Sequence, residues 1–256
     1  MNRKSWFVFI VVLGLLPIGA FAGEVRVVGD AIIFDAGIGE VNTVTINPRG
    51  GVFDQSSGLF ITGLTITDST TTMVVRSPCR NVQGTALCED TFAIHRAVIK
   101  LGNKNDSVKE DFAFGQGGTP LPMTVEGGPG DDTITGSPVA DVLNGGDGND
   151  VIDGGEGDDV ITGGFGDDHL TGGDGNDTIR GNAGKDVIDG GDGDDDIDGG
   201  IGDDQITGGK GKDVLKGDAG DDTIDSRDGE VDTINCGLGR DTLLRGSNDS
   251  VSRCER

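Results

Sequence analysis

Aspartate returns at every ninth residue over a long stretch of this chain: Asp132, Asp141, Asp150, Asp159, Asp168, Asp177, Asp186, Asp195, Asp204, Asp213 and Asp222. Each follows a glycine-rich run, and each is followed two residues later by Ile or Leu, from Ile134 to Ile224. The unit reads Gly-Gly-x-Gly-x-Asp-x-(Ile/Leu)-x and holds its register from Gly127 to Asp225. Carboxylates and turn carbonyls offer oxygen only. No Cys or His occupies a ligand position, which argues against zinc or copper. Calcium takes about six to eight oxygens at about 2.3–2.6 Å and tolerates irregular geometry; magnesium demands a near-octahedral shell and keeps its waters. The chemistry implied is binding of several calcium ions.

The elements that position these carboxylates follow from the same period, because a fixed internal repeat dictates architecture. In Gly145-Gly146-Asp147-Gly148-Asn149-Asp150-Val151-Ile152-Asp153 the glycines permit a tight bend. The last three residues suit a short strand, with Ile152 on one face and Val151 and Asp153 on the other. One apolar side chain per unit cannot build a globular core, but it can build a ladder if units stack. Two units then make one coil, with strands about 4.7–4.9 Å apart along each face. Asp150 falls between Asp132 and Asp168, and Asp159 between Asp141 and Asp177. Like charges about 5 Å apart repel by about 3 kcal/mol at an effective dielectric of roughly 20. Position five often adds another carboxylate (Asp131, Asp158, Asp167, Asp194, Asp203, Asp221). A divalent cation between successive turns removes the repulsion. A disordered, merely solvating tail would not place Ile or Leu at every ninth position.

The unit resembles the RTX nonapeptide, also called the hemolysin-type calcium-binding repeat. The resemblance implies an all-β fold, a parallel β-roll or β-solenoid. It also implies calcium held between adjacent coils by position-six aspartates and turn carbonyls. Carried over residue by residue, the metal set is Asp132, Asp150, Asp159, Asp168, Asp177, Asp186, Asp195, Asp204, Asp213 and Asp222, with turn glycines Gly146, Gly148, Gly155, Gly157, Gly164, Gly166, Gly173, Gly175, Gly191, Gly193, Gly200, Gly202, Gly209 and Gly211. The unit beginning Gly136-Ser137-Pro138-Val139-Ala140-Asp141 has lost two glycines, so Asp141 is left out. Gly181-Asn182-Ala183 and Gly217-Asp218-Ala219 depart by one glycine each. Lys185 and Lys212 replace the usual Asp or Asn at position five, which is expected to weaken their sites.

Composition narrows the alternatives. The chain has 20 Lys+Arg against 45 Asp+Glu, a net charge of −25. Such acidity argues against nucleic acid and anionic membrane surfaces and favours cations. Residues 1–22 read as a secretory signal peptide, with Arg3 and Lys4 ahead of an apolar stretch too short for a confident span and Ala20-Phe21-Ala22 as a cleavage site. The expected location is therefore outside the cell, with no membrane span after cleavage. Four cysteines in an exported chain suggest two disulfides. Three connectivities exist; Cys79–Cys88 across a hairpin and Cys236–Cys254 at the C-terminal end is the favoured one.

Residues 23–96 read as a small β cap. Strands are expected at Val25–Val28 and Ala31–Phe34, and at Asn42–Ile46 stopping before Pro48. Leu59–Ile61 is expected to pair with Leu64–Thr67 across Thr62-Gly63. Residues 97–126 are degenerate entry coils and a loop, 127–225 the calcium-binding roll, and 226–256 a disulfide-fastened cap, where Asp232 slips the period by one and Asp241 resumes it.

Catalytic signals are weak. His95 and His169 have no metal-ligand partners at useful spacing, and neither a His-Glu-x-x-His helix nor a Gly-x-Ser-x-Gly elbow occurs. Asp194, Asp196 and Asp198 imitate the start of an EF-hand loop, but Gln205 stands where its closing Glu belongs. The expectation is a secreted, non-enzymatic calcium-binding module, structural or interacting, with cell-surface or matrix polysaccharide as a compatible partner. The rival is a carbohydrate-acting or hydrolytic enzyme with its site in the cap.

Overall fold

A computed structural model describes the backbone of residues 24–28, 31–35, 43–54, 59–68, 74–75, 79–82, 85–88, 96–102, 105–110, 120 and 122–254, and side chains at 98–102, 105–108, 120 and 122–254. The signal segment 1–22 and His95 lie outside the described residues. No helix occurs among the described residues, so none is long and apolar enough to cross a membrane.

The N-terminal strands are β1 (Glu24–Val28), β2 (Ala31–Asp35), β3 (Thr43–Asp54), β4 (Leu59–Asp68), β5 (Val74–Val75), β6 (Cys79–Val82) and β7 (Thr85–Cys88). β8 (Arg96–Lys100) and β9 (Ser107–Glu110) then open the roll. It continues through β10 (Met123–Pro129), β11 (Thr133–Thr135), β12 (Val142–Asp147), β13 (Val151–Glu156), β14 (Val160–Phe165), β15 (His169–Asp174), β16 (Thr178–Ala183), β17 (Val187–Asp192) and β18 (Asp196–Ile201). It ends with β19 (Gln205–Lys210), β20 (Val214–Ala219), β21 (Thr223–Ser226), β22 (Thr233–Asn235), β23 (Thr242–Arg245) and β24 (Ser250–Ser252). From β8 onward the even-numbered strands form one sheet and the odd-numbered strands another, all parallel, each strand paired with the one a full coil away. The register is 18 residues, as in Ile152 opposite Leu170 and Leu143 opposite Ile161. This is the parallel β-solenoid that the nine-residue period requires.

The position-eight residues, Ile134 through Ile224, are buried in single file between the two sheets, with Ile99, Val108, Met123 and Val125 extending the file at one end and Ile234 at the other. Position seven faces out, as Val142 and Val151 do. The strands are longer than the three residues expected. They run from position seven through position three of the next unit, and the pairing omits the position-one glycine between them. The chain is therefore extended through the first glycines, and only positions four to six form the bend.

The N-terminal strands join both sheets instead of forming a separate layer. β2 lies parallel to β8, and β3 parallel to β9, so they continue the stack beyond its first coil. Such a seat covers strand edges that would otherwise recruit other chains. Two local expectations are corrected here. β3 does not stop before Pro48 but continues to Asp54 through a register shift between Asn47 and Gly50. A bulge tolerates Pro because it leaves backbone groups unpaired. Leu59–Ile61 and Leu64–Thr67 do not form a hairpin. They are one strand, β4, paired antiparallel with β3, and Gly63 sits opposite Gly50 at the bulge. β6 and β7 do pair antiparallel, with Cys79 opposite Cys88 in the backbone register.

At the far end Cys236 and Cys254 are disulfide-bonded, their Cα atoms 4.8 Å apart, on neighbouring coils. Cys236 is fully buried and closes the apolar file. The bridge spans 18 residues of sequence, and closing a loop of that length stabilises by about 3 kcal/mol in the chain-entropy view. The paired substitution Cys236→Ser with Cys254→Ser is expected to lower the melting temperature. It should also speed amide exchange in β22 to β24 before β12 to β16; uniform exchange along the roll would contradict this.

Candidate metal centres

Every position-six aspartate from Asp132 to Asp222 is buried, with a side chain folded back under its own turn. Its two oxygens have different partners. Oδ1 accepts the backbone N–H of the aspartate one coil earlier: Asp132 N–H to Asp150 Oδ1 at 2.7 Å, Asp150 N–H to Asp168 Oδ1 at 2.8 Å, and Asp159 N–H to Asp177 Oδ1 at 2.8 Å. The series runs to Asp213 N–H on Asp232 and Asp222 N–H on Asp241. The carboxylate is thus also a clamp between coils.

Oδ2 is the informative atom. In Asp132, Asp150, Asp159, Asp168, Asp177, Asp186, Asp195, Asp204, Asp213 and Asp222 it is buried and accepts no hydrogen bond. Buried polar atoms in native proteins are almost always paired, and a bare carboxylate oxygen is among the costliest to bury. These ten are the aspartates carried over from the motif. Asp141 differs: its Oδ2 accepts Ser137 N–H at 2.6 Å, and its Oδ1 accepts Met123 N–H and the Ser137 hydroxyl. Ser137, in place of the second glycine, satisfies that carboxylate with its N–H and its hydroxyl.

The space beside Oδ2 is defined by the position-one glycines. A methyl group on Gly127 would lie 2.4 Å from Asp132 Oδ2 and 2.4 Å from the carbonyl oxygen of Gly145, one coil on. On Gly172 it would meet Asp177 Oδ2 at 2.3 Å and Gly190 O at 2.4 Å. A side chain at position one would collide with both oxygens, so glycine there lets Oδ2 and the neighbouring coil's carbonyl lie against the same face of the turn, the oxygen pairing a hard cation takes. No three side chains of ligand type converge among the described residues. Each shell would thus combine carboxylate with backbone carbonyl oxygens, a donor set for a hard cation. The position-one glycines were not in the motif-based set; only the stacked geometry reveals their carbonyls.

The position-two and position-four glycines that were in that set (Gly146, Gly148, Gly155, Gly157, Gly164, Gly166, Gly173, Gly175, Gly191, Gly193, Gly200, Gly202, Gly209 and Gly211) all have positive φ. They also pack against the carbonyls of the coil below: a methyl on Gly146 would meet Gly128 O at 2.2 Å. Asn182 and Asp218 take the same left-handed conformation at position two, which their short polar side chains tolerate. Asp232 and Asp241 extend the two aspartate rows, and their Oδ2 atoms are likewise without a hydrogen bond. The period-slip of one residue hides Asp232 from a strict nine-residue reading.

Position five has another role. Its side chains are exposed and cap the next coil from outside: Asp131 Oδ1 accepts Asn149 N–H, Asn149 Oδ1 accepts Asp167 N–H, and Asp158 Oδ1 accepts Asn176 N–H. Lys185 interrupts this outer series, since ammonium accepts nothing; instead it pairs with the Asp203 carboxylate. Lys185 and Lys212 stand outside the buried row, and Asp186 and Asp213 keep unpartnered Oδ2 atoms beside them. His169 points outward at position seven, and Asp194, Asp196 and Asp198 belong to a turn and a strand rather than a helix-flanked loop.

Burial raises the carboxyls. Asp132, Asp159, Asp168 and Asp195 are pushed up to about 7, with neighbouring carboxylates adding to desolvation. Asp204, Asp213 and Asp222 reach about 6 from the same causes. Backbone N–H donors oppose the rise without cancelling it.

The fold and this donor set define a class: a parallel β-roll with carboxylate and carbonyl oxygens stacked between its coils. Residues 124–138, 135–170, 171–206, 198–230 and 207–243 match the RTX calcium-binding nonapeptide repeat, and the roll from 124 to 243 is made of repeats of that family. No curated protein matches the chain.

Two outcomes are expected. Gly172→Ala, at a position where φ itself allows a side chain, should remove one calcium equivalent in isothermal calorimetry, because its methyl occupies the space between Asp177 Oδ2 and Gly190 O. Unchanged stoichiometry would count against that site. Protons and calcium compete for the raised carboxylates. The metal-free roll holds their protonation stability below the unfolded carboxyl value of about 3.9 and loses it as pH rises through 6 to 7. Calcium binding to an already folded roll should therefore release protons near pH 6 to 7 and weaken as pH falls through that window, whereas binding that folds the chain from its ionised unfolded state should release none. Calorimetry in buffers of different ionisation enthalpy measures this.

Proposed function

We propose that the chain is a secreted calcium-dependent structural or interaction module. Its mature part, beginning near residue 23, folds into a roll when it meets calcium outside the cell. The single observation that carries the reading is the row of ten buried Oδ2 atoms without a hydrogen-bond donor. The ions would be held by Asp132, Asp150, Asp159, Asp168, Asp177, Asp186, Asp195, Asp204, Asp213 and Asp222 with carbonyls of the turn glycines. Bound calcium supplies positive charge that cancels the repulsion along each row. The chain's own residues do the rest: Oδ1 ties each coil to the previous one, and position eight buries the file between the sheets.

Ordering glycine-rich backbone costs at least about 1–2 kcal/mol per residue, and the apolar file is one residue wide. Ion binding is the remaining large favourable term, so folding and binding are coupled. The proposed organisation is a signal at 1–22, a β cap at 23–96, entry coils at 97–126, the roll at 127–225 and a fastened end at 226–256. Export by the N-terminal segment would deliver the chain to millimolar-range calcium, and the module acts as a binding element rather than as an enzyme. Cell-surface or matrix polysaccharide is the partner class we favour.

A calcium titration of residues 23–256, followed by far-ultraviolet circular dichroism, tests the central claim. A cooperative gain of strand signal with calcium and none with magnesium is expected. Equal strand content in chelator and in calcium would refute it.

A further inference from the structure

Position three is exposed on both sheets, yet the two edges differ in chemistry. Along the odd-numbered sheet it is Glu156, Asp174, Asp192 and Lys210. Along the even-numbered sheet it begins with Pro129 and the exposed Asp147 and then runs Phe165, Ala183, Ile201, Ala219 and Leu238, each in register with the next. Phe165 is 68% exposed, Ile201 69% and Leu238 74%. Five such positions about 4.8 Å apart make a continuous apolar stripe of about 19 Å. Solvent does not favour such a stripe, and a contiguous exposed patch marks an interaction site more often than scattered residues do.

The stripe alternates large, small, large, small, large. That order is self-complementary. A two-fold axis parallel to the strands, passing between β16 and β18, sets β16 against β18 of a second copy and β14 against β20. Ile201 of each copy then faces Ala183 of the other, and Phe165 faces Ala219, knob into hole, while Leu238 faces Asp147 at each end of the stripe. Charges beside the stripe obey the same axis. Arg180 on β16 comes opposite Asp198 on β18 of the second copy, twice over, and both residues border the shallow concavity that the stripe runs through. On the outer face Val160 comes opposite Val214, two of the exposed valines. No like charges among these rows are brought together.

We propose that this face is a self-association surface, and that two calcium-folded rolls pair antiparallel along it. The proposal rests on the calcium-folded reading, since the stripe exists only when coils stack. Calcium held between the coils would also neutralise buried carboxylates, which lowers the repulsion between two strongly acidic chains. A stripe of this length falls short of the area of a permanent dimer, so the pairing is concentration-dependent.

Sedimentation velocity over a concentration series of residues 23–256, with and without calcium, tests it, with circular dichroism on the same samples. A dimer that grows with concentration in calcium and is absent in chelator is expected. Ile201→Asp should weaken the dimer at least tenfold, whereas Glu156→Ala, at the equivalent place on the other sheet, should leave it unchanged. Arg180→Asp should weaken it, and adding Asp198→Arg in the same chain should restore it. A folded roll that stays monomeric at every concentration overturns the pairing alone and leaves the stripe to another partner. A chain that remains unfolded in calcium overturns the calcium-folded reading and the pairing with it. A charge swap that fails to restore the dimer overturns the two-fold arrangement.

Discussion

One buried carboxylate oxygen per repeat, with no donor to meet it, governs this molecule. Each position-six aspartate spends one oxygen on the backbone of the previous coil, and in all but Asp141 the other is buried without a donor in the gap between coils. Without a cation the gap gathers negative charge in a low-dielectric setting, and the carboxyls respond by holding protons toward neutral pH. With a cation the same oxygens become a shell. The apolar file is narrow, so an ion shared between coils would take the place that a core holds in a globular domain.

Glycine makes the arrangement spatially possible. Position-one glycines leave room beside the carboxylate, and position-two and position-four glycines let successive backbones approach within carbonyl contact. The coils are coupled almost entirely to their immediate neighbours: hydrogen bonds, aspartate clamps and the outer position-five caps all span one coil. Stability in such a structure is close to a sum of unit and neighbour contributions, so ends matter. One end is continued by the strands β2 and β3, and the other is fastened by Cys236 and Cys254.

Much of this was legible in the residues because the period is strict. The parallel coil, the inward Ile and Leu, the outward position seven and the calcium-type donor set all follow from nine-residue spacing. What was not legible depends on contacts between coils. The position-one carbonyls carry no side chain to announce them. The division of labour between Oδ1 and Oδ2 appears only when Asp150 is stacked on Asp132. That position-five carboxylates cap the next coil from outside also appears only in the stack. In the N-terminal strands, Pro48 and Thr62-Gly63 read locally as breaks, but they face each other across one long antiparallel pair, where a bulge absorbs both.

The unit containing Ser137 sets a direction for assembly. Its carboxylate is satisfied by Ser137 of its own turn and by Met123 N–H of the coil before, so this coil is the one whose closure leaves no bare carboxylate oxygen. A linear array is limited by its first rung, and here that rung is supplied in advance. Later coils would then need only one neighbour to build upon, and growth would run from Asp141 toward the disulfide like a zip from its fixed end. Protection from amide exchange at sub-saturating calcium would appear first around β10 and β12 in such a polarised assembly, and an even onset along the roll would rule it out.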